Sequence, residues 1–257
     1  MQNDQKTLLI VVNHSEFFLS HRLPIARSAL REGFKVHIAT SKSPALPRLK
    51  QQGFPVHTIP LQPGGINPIA DFLLLISLIR LYQKIRPDLV HHVTVKPVLY
   101  GSLAARICRI HGVVNALTGL GHLFVTRSSV IAILRKIIIA MMRIGLRHPN
   151  NALILQNPDD CDEMIRHGVI APDKVKLIKG SGVDPEEFEY SEENNGDITV
   201  TLASRMIREK GINEYAGAAR IVKTTHPEYR FLLVGKPDDN NPTSISREQL
   251  EKWNREG

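Results

Sequence analysis

Apolar and polar positions switch between two periods along this chain, and the switches mark out a regular order of elements. Leu8–Val12 is a short β-rich run ending in the polar turn Asn13-His14-Ser15. Helical spacing runs from Ser20 to Glu32 and stops at Gly33, a residue that tolerates the left-handed conformation ending many helices. Lys35–Ala39 reads as a strand, Pro47–Gln52 as a short helix stopped by Gly53, and Pro55–Ile59 as another strand. Asn67-Pro68 supplies an N-cap and first-turn pair for a helix to Ile85, stopped by Pro87. Strands then follow at Leu89–Val95, Val113–Leu117, Ala152–Gln156 and Val175–Lys179, separated by helical patterns at Val98–Ile110, Ser128–Arg147 and Asp160–His167.

Strand and helix alternating through short loops predict an α/β fold built on a doubly wound parallel sheet. The polar run Ser191–Gly196 reads as a linker, and the pattern restarts beyond it. Strands are expected at Ile198–Ala203 and Arg230–Val234, with helices at Ile212–Lys223 and Arg247–Glu256. The expected organisation is a Rossmann-like domain over 1–190, a linker over 191–197 and a partial second Rossmann-like domain over 198–257. Two parallel strands and two helices make a small core, so the second domain is expected to be incomplete.

Charge sharpens the picture. The net charge is +8, yet Leu89–Pro158 contains no Asp or Glu while carrying Lys96, Arg106, Arg109, Arg127, Arg135, Lys136, Arg143 and Arg147. The excess therefore belongs to one region, which suits phosphate groups or an anionic surface. Ser128–Arg147 is apolar between its charges. A membrane-spanning reading is rejected, because each charge near the centre would cost ~2.5–3.5 kcal/mol. At about 100° per residue its cations fall within an arc of roughly 120°, as in a helix lying against anionic lipid. The basic region lacks interleaved aromatics, which argues against nucleic acid as a partner. Cys108 and Cys161 have no metal-ligand or redox spacing, and Leu8–Val12 is too short for a signal peptide, so a reduced cytosolic setting is expected.

Ligands of open parallel sheets bind at the carboxyl ends of the strands. The loop after the first strand brings His14. Thr118-Gly119-Leu120-Gly121 directly follows a strand, where glycines let a ligand reach the backbone N–H groups, and His122 comes next. Arg205 and Lys210 flank a strand-to-helix turn, so both cations sit beside a helix N-terminus that already favours an anion.

The turn Ala203-Ser204-Arg205-Met206-Ile207-Arg208-Glu209-Lys210-Gly211 resembles the R-x4-K-G turn of family 4 retaining glycosyltransferases. Gly182-Val183-Asp184-Pro185 with Phe188 resembles the turn entering their interdomain linker. Ser20-His21-Arg22-Leu23-Pro24, Thr118-Gly119-Leu120-Gly121 and Leu155-Gln156-Asn157-Pro158-Asp159-Asp160 look like a subgroup that adds a hexose or hexosamine to undecaprenyl-diphosphate-linked sugars. This resemblance implies a GT-B fold, a UDP-sugar donor in the interdomain cleft, no required metal or other cofactor, and retained anomeric configuration. It implies that Arg205 and Lys210 hold the donor diphosphate, with Thr118, Gly119, Gly121 and His122 bordering the substrate. Arg22 and Lys96 would suit the diphosphate of a polyprenyl-linked glycan acceptor. A peripheral position at the cytoplasmic membrane face follows from such an acceptor. The glutamate pair E-x7-E of the family lies beyond Gly257, so the 257-residue chain is expected to transfer sugar poorly alone. The competing expectations are a nucleotide-sugar 2-epimerase and a non-catalytic or split-enzyme subunit.

Overall fold

The computed structural model describes residues 5–62, 67–119, 129–192, 196, 198–237, 241 and 243–256, with side chains of the 129–146 helix described from Ile133 onward. Contacts divide the chain into two units, Met1–Asp184 and Pro185–Gly257. Residues 185–190 thus group with the second unit.

The first unit is a parallel sheet of seven strands: β1 (Thr7–Val12), β2 (Lys35–Thr40), β3 (Val56–Thr58), β4 (Leu89–Val93), β5 (Gly112–Ala116), β6 (Asn151–Leu155) and β7 (Val175–Leu177). Their spatial order is β3-β2-β1-β4-β5-β6-β7. β1 pairs in parallel with both β2 and β4, and its side chains feed two cores. Leu9 and Val11 pack with α4 (Pro68–Ile85) and α5 (Ser102–Ile107), whereas Leu8, Ile10 and Val12 pack under α1 (Ser15–His21), α2 (Leu23–Arg31) and α3 (Leu46–Lys50). This alternation makes the central strand apolar throughout, as expected of a sheet covered on both faces. A third cluster joins α6 (Ser129–Leu146) and α7 (Pro158–Arg166) to Leu153 and Leu155 of β6.

Two helices differ informatively from the sequence expectation. The helix expected over Ser20–Glu32 is α2, and a further helix that the pattern did not mark, α1, precedes it; the two are hinged at Arg22, whose φ of −124° and ψ of −10° leave the α-helical region. Pro24 has no N–H for the Ser20 carbonyl, which disfavours one continuous helix; in the first turn of α2 the same proline leaves no helical bond unmade. The helix expected from Val98 opens with a π-helical turn, Pro97–Gly101, before α5. That wide turn brings Gly101 onto the His92 ring, where a Cβ would lie 2.5 Å from ring atoms. By contrast Asn67 caps α4 as its sequence implies, accepting from the Ala70 N–H at 3.1 Å.

A polar chain is sealed inside this unit. Tyr82 Oη lies 2.7 Å from His92 Nε2, His92 Nδ1 2.8 Å from Asn115 Oδ1, and Ser102 donates to the same oxygen at 2.9 Å. With the Asn115 side-chain oxygen as acceptor, the Nδ1–H donates to it, and in the neutral ring Tyr82 donates to Nε2. His92 is neutral because burial holds its pKa down at about 4. On the opposite face His91 is also buried. Desolvation, with the Arg22 charge adding to it, lowers His91 to about 3.

The second unit pairs β8 (Thr199–Ala203) in parallel with β9 (Arg230–Val234). Met206, Ile212 and Ile245 form its small core with Leu202, Leu233, Leu250 and Trp253, beneath α8 (Ile212–Lys223) and α9 (Arg247–Glu256). The Tyr215 hydroxyl of α8 donates to the Val200 carbonyl at 2.7 Å, tying the helix to β8. Both strands and both helices occupy the positions that the sequence pattern marks.

The buried histidines make stability pH-dependent. Their folded pKa values lie below the ordinary 6.5, so the unfolded chain binds more protons and acid favours unfolding. Stability is expected to fall as pH drops below about 6.5 and to keep falling towards about 4, by up to ~1.4 kcal/mol per pH unit for each histidine. Denaturant titrations from pH 7 to 4.5 measure this, and His91→Gln should flatten the slope by about one proton.

Candidate functional site

The strand order reverses at β1 and β4: the chain proceeds from β1 outward through β2 and β3, and from β4 outward through β5 to β7. Loops leaving the two strands diverge to opposite faces and open a crevice between their carboxyl ends, which is where open α/β sheets take ligands. Asn13 leaves β1 and Thr94 leaves β4, and the Thr94 hydroxyl donates to the Asn13 side-chain oxygen across the crevice. Ser41, at the end of β2, donates its hydroxyl to the Asn13 carbonyl at 2.6 Å. Thr94 has φ +75°, a left-handed conformation that costs a β-branched residue energy. Strain of this kind concentrates at functional sites.

The residues singled out from sequence distribute around this edge. His14 is exposed at the start of α1. Thr118 is exposed and Gly119 half-buried just beyond β5, and Gly119 takes φ +144°. Gly121 and His122 lie outside the described residues. Lys96 is not a free surface cation: its Nζ lies 2.7 Å from Asp71 Oδ1, with both side chains largely buried. Asp71 is also bonded to Tyr100, whose hydroxyl is pushed up to about 12 by burial and by that carboxylate. A phosphate at this loop would share Lys96 with Asp71.

Arg22 carries more weight. It is 5% exposed, and its Nη1 donates to the His21 carbonyl at 3.1 Å and to Ser181 Oγ at 3.0 Å. Its Nε is buried without a partner, as is His91 Nε2, and no carboxylate among the described residues pairs with the guanidinium. A buried, uncompensated cation is costly, and a bound anion removes that cost. Sequence reasoning reached Arg22 but passed over His91, Asn13 and Thr94. Their one visible signal was position at or next to strands that the topology makes adjacent.

The second unit carries the Arg205–Lys210 turn. Ile207 N donates to the Arg205 carbonyl at 2.8 Å, and Arg208–Lys210 form a single 3₁₀ turn. Gly211 then turns left-handed, φ +74°, to start α8 with no side-chain cap. The first N–H groups of a twelve-residue helix are thereby left for an external acceptor, beside the exposed Arg205 and Lys210. Gly235, which the sequence reading missed, permits this geometry. A Cβ there would lie 1.9 Å from the Ser204 carbonyl oxygen and 2.7 Å from Met206 Cε.

A seven-stranded parallel sheet with a switch-point crevice places the first unit among the doubly wound α/β folds. The family described as glycosyl transferase 4-like matches residues 7–157, and the chain belongs to that family. It is 25% identical over 218 residues to an Escherichia coli UDP-Gal:α-D-GlcNAc-diphosphoundecaprenol α-1,3-galactosyltransferase, covering 79% of this chain and 54% of that protein. It is 20% identical over 254 residues to a Campylobacter jejuni N,N'-diacetylbacillosaminyl-diphospho-undecaprenol α-1,3-N-acetylgalactosaminyltransferase, covering 91% of this chain and 66% of that one. The chain thus spans between half and two thirds of these relatives. Among solved structures, Anabaena HepE in complex with UDP superposes with a TM-score of 0.66 at 16% identity, over 98% of this chain and 67% of that one. A Neisseria meningitidis UDP-GlcNAc 2-epimerase bound to UDP-GlcNAc gives 0.63 at 13% identity, over 97% and 68%. These similarities establish the shared fold.

The close approach at Gly235 gives a signed prediction. Gly235→Ala should destabilise the second unit by ~1–3 kcal/mol through overpacking. Gly217→Ala, whose Cβ would meet nothing within 4 Å on α8, should stabilise it by ~0.5–1 kcal/mol. Urea unfolding of the two variants checks both signs.

Proposed function

We propose that the protein is a retaining hexosyltransferase moving a hexose or N-acetylhexosamine from a UDP-sugar to a lipid-diphosphate-linked saccharide in surface-polysaccharide or glycan assembly. The observation that carries this reading is the turn at Arg205 and Lys210 beside the uncapped start of α8. When the glycosidic bond of a UDP-sugar breaks, charge grows on the leaving diphosphate. Two cations and a set of helix N–H groups stabilise it most when it is fully formed, which lowers the barrier. In this reading no metal is required, because these groups take up the developing charge. Arg22 serves the acceptor diphosphate, with His14, Lys96, Thr118 and Gly119 along the same edge. Gly121 and His122 belong to the same proposed set. The match to the glycosyl transferase 4-like family, and relatives named for undecaprenyl-diphosphate acceptors, support transfer over epimerisation.

The acceptor would be met at a membrane surface. No helix among the described residues is long and apolar enough to cross a membrane. On α6, Ile133, Ile137 and Ile144 are each more than half exposed, and they share the outer side with Lys136, Arg143 and Arg147. Arg135 is half-buried, so the exposed face is mixed isoleucine and cation rather than a purely basic stripe. Such a face suits shallow insertion among anionic headgroups, where each cation adds ~1 kcal/mol.

Two experiments test this function. Lys210→Ala should weaken UDP binding by roughly tenfold or more, the worth of a charge-assisted contact of ~1.5–3 kcal/mol, while stability stays within ~0.5 kcal/mol. Calorimetric titration with a parallel melt reads both, and unchanged UDP affinity would remove Lys210 from the donor site. For the membrane, Ile137→Gln with Lys136→Gln should lower co-sedimentation with phosphatidylserine-containing vesicles severalfold. Wild-type binding should weaken as salt screens charges beyond ~10 Å at 0.1 M. Undiminished binding by the double variant means that this face has no membrane role.

A further inference from the structure

At the opposite edge of the sheet, a cavity of about 380 Å³ opens where the chain enters β5 and β6. Arg106 and Arg109 come from the end of α5 and the turn after it, His111 stands directly before β5, and Arg147 leaves α6. His148 and Ile110 form its buried wall, with His148 Nε2 2.8 Å from the Ile110 carbonyl oxygen. Three arginines therefore surround one concavity, and none is paired to a carboxylate among the described residues. The sequence offers no acid between Leu89 and Pro158. The nearest acid before β4, Asp88, is held by the Thr7 N–H at 2.7 Å. Lys174 adds positive charge behind the wall, its Nζ donating to the Pro149 carbonyl at 3.0 Å.

Two features separate this arrangement from a row of solvated side chains. Arg109 is held in the left-handed region at φ +53°, a conformation that side chains disfavour, and the turn it makes places the residue in the cavity lining. Arg106 is fixed by an Nη1 bond of 2.8 Å to the Ile144 carbonyl at the end of α6, so its charge is positioned rather than swinging free. Like charges held together repel one another, and a multiply charged anion relieves that repulsion.

We propose that this cavity is a second phosphate site, distinct from the strand-end crevice, taking a dianionic phosphomonoester or a diphosphate. Arginine forks match phosphate oxygens bidentately, and two or three forks match the dianion better than a carboxylate or a phosphodiester. Ile107 and Ile144, 59% and 54% exposed, stand beside Arg106 and Arg147. The same phosphate could be free in solution or carried on a lipid headgroup lying against these isoleucines.

The test uses the full chain with inorganic pyrophosphate, by calorimetry, and with phosphatidylcholine vesicles containing either phosphatidic acid or phosphatidylserine at matched surface charge. Arg109→Gln with Arg147→Gln should abolish a pyrophosphate-binding event that Arg22→Met with Lys210→Ala retains, or abolish a preference for phosphatidic acid over phosphatidylserine. Loss of the first alone assigns a free phosphate ligand, and loss of the second assigns a phosphomonoester headgroup. Should the double variant fail to melt cooperatively, Arg147→Gln alone carries the test, with a threefold or larger loss expected. The proposal is overturned if wild type shows neither pyrophosphate binding outside the positions proposed at Arg22 and Lys210 nor a phosphatidic acid preference. It is equally overturned if the arginine variants bind as wild type does.

Discussion

The parallel pairing of β1 with β2 on one side and β4 on the other is the constraint on which the first unit depends. Parallel strands direct all their carboxyl ends to one edge, and a sheet that grows outward in both directions from two adjacent strands must part its loops between them. The arrangement of the carboxyl edge follows from this parting. Asn13 and Thr94 meet across it, Thr94 is forced into a left-handed turn to leave β4, and the α1–α2 hinge turns Arg22 inward below it. Two cores of opposite facing hold the pairing in place, and the Tyr82–His92–Asn115–Ser102 chain fixes β4 and β5 against α4 and α5.

Positive charge is the second theme, and it is handled differently at each place. Lys96 is neutralised by Asp71 at 2.7 Å, so it orders the β4 loop as much as it offers charge. Arg22 is buried with an orphaned Nε and no carboxylate partner among the described residues, an arrangement that costs stability unless a ligand supplies negative charge. Arg205 and Lys210 stay exposed, where the cost of holding them is small.

Much of this was legible in the sequence, for identifiable reasons. Strands with continuous apolar runs, glycine and proline stops, and the Asn67-Pro68 cap act locally, so period and punctuation located nearly every element. The position of the Arg205–Lys210 turn between a strand and a helix was equally readable, whereas its geometry also rests on backbone bonds to Lys236, Thr243 and Ile245. What escaped depended on contacts between distant segments. The hinge at Arg22 was hidden because Pro24 near a helix start is ordinarily acceptable. The π-helical turn sets Gly101 against the ring of His92 on another element, and Gly235 matters because the Ser204 carbonyl lies where its side chain would be. His91 looked like one more residue of an apolar strand until Arg22 was found beside it.

The central claim is that the two units recognise two different diphosphates, a UDP moiety at the Arg205–Lys210 turn and a lipid-linked diphosphate near Arg22. The most direct measurement is a titration of the UDP-saturated chain with a short-chain polyprenyl-diphosphate saccharide, repeated on Arg22→Met and Lys210→Ala. The account predicts that the lipid ligand binds undiminished in the presence of UDP, that Arg22→Met weakens only the lipid ligand, and that Lys210→Ala weakens only UDP. Mutual competition between the ligands, or a single substitution that weakens both equally in a well-folded protein, would contradict it.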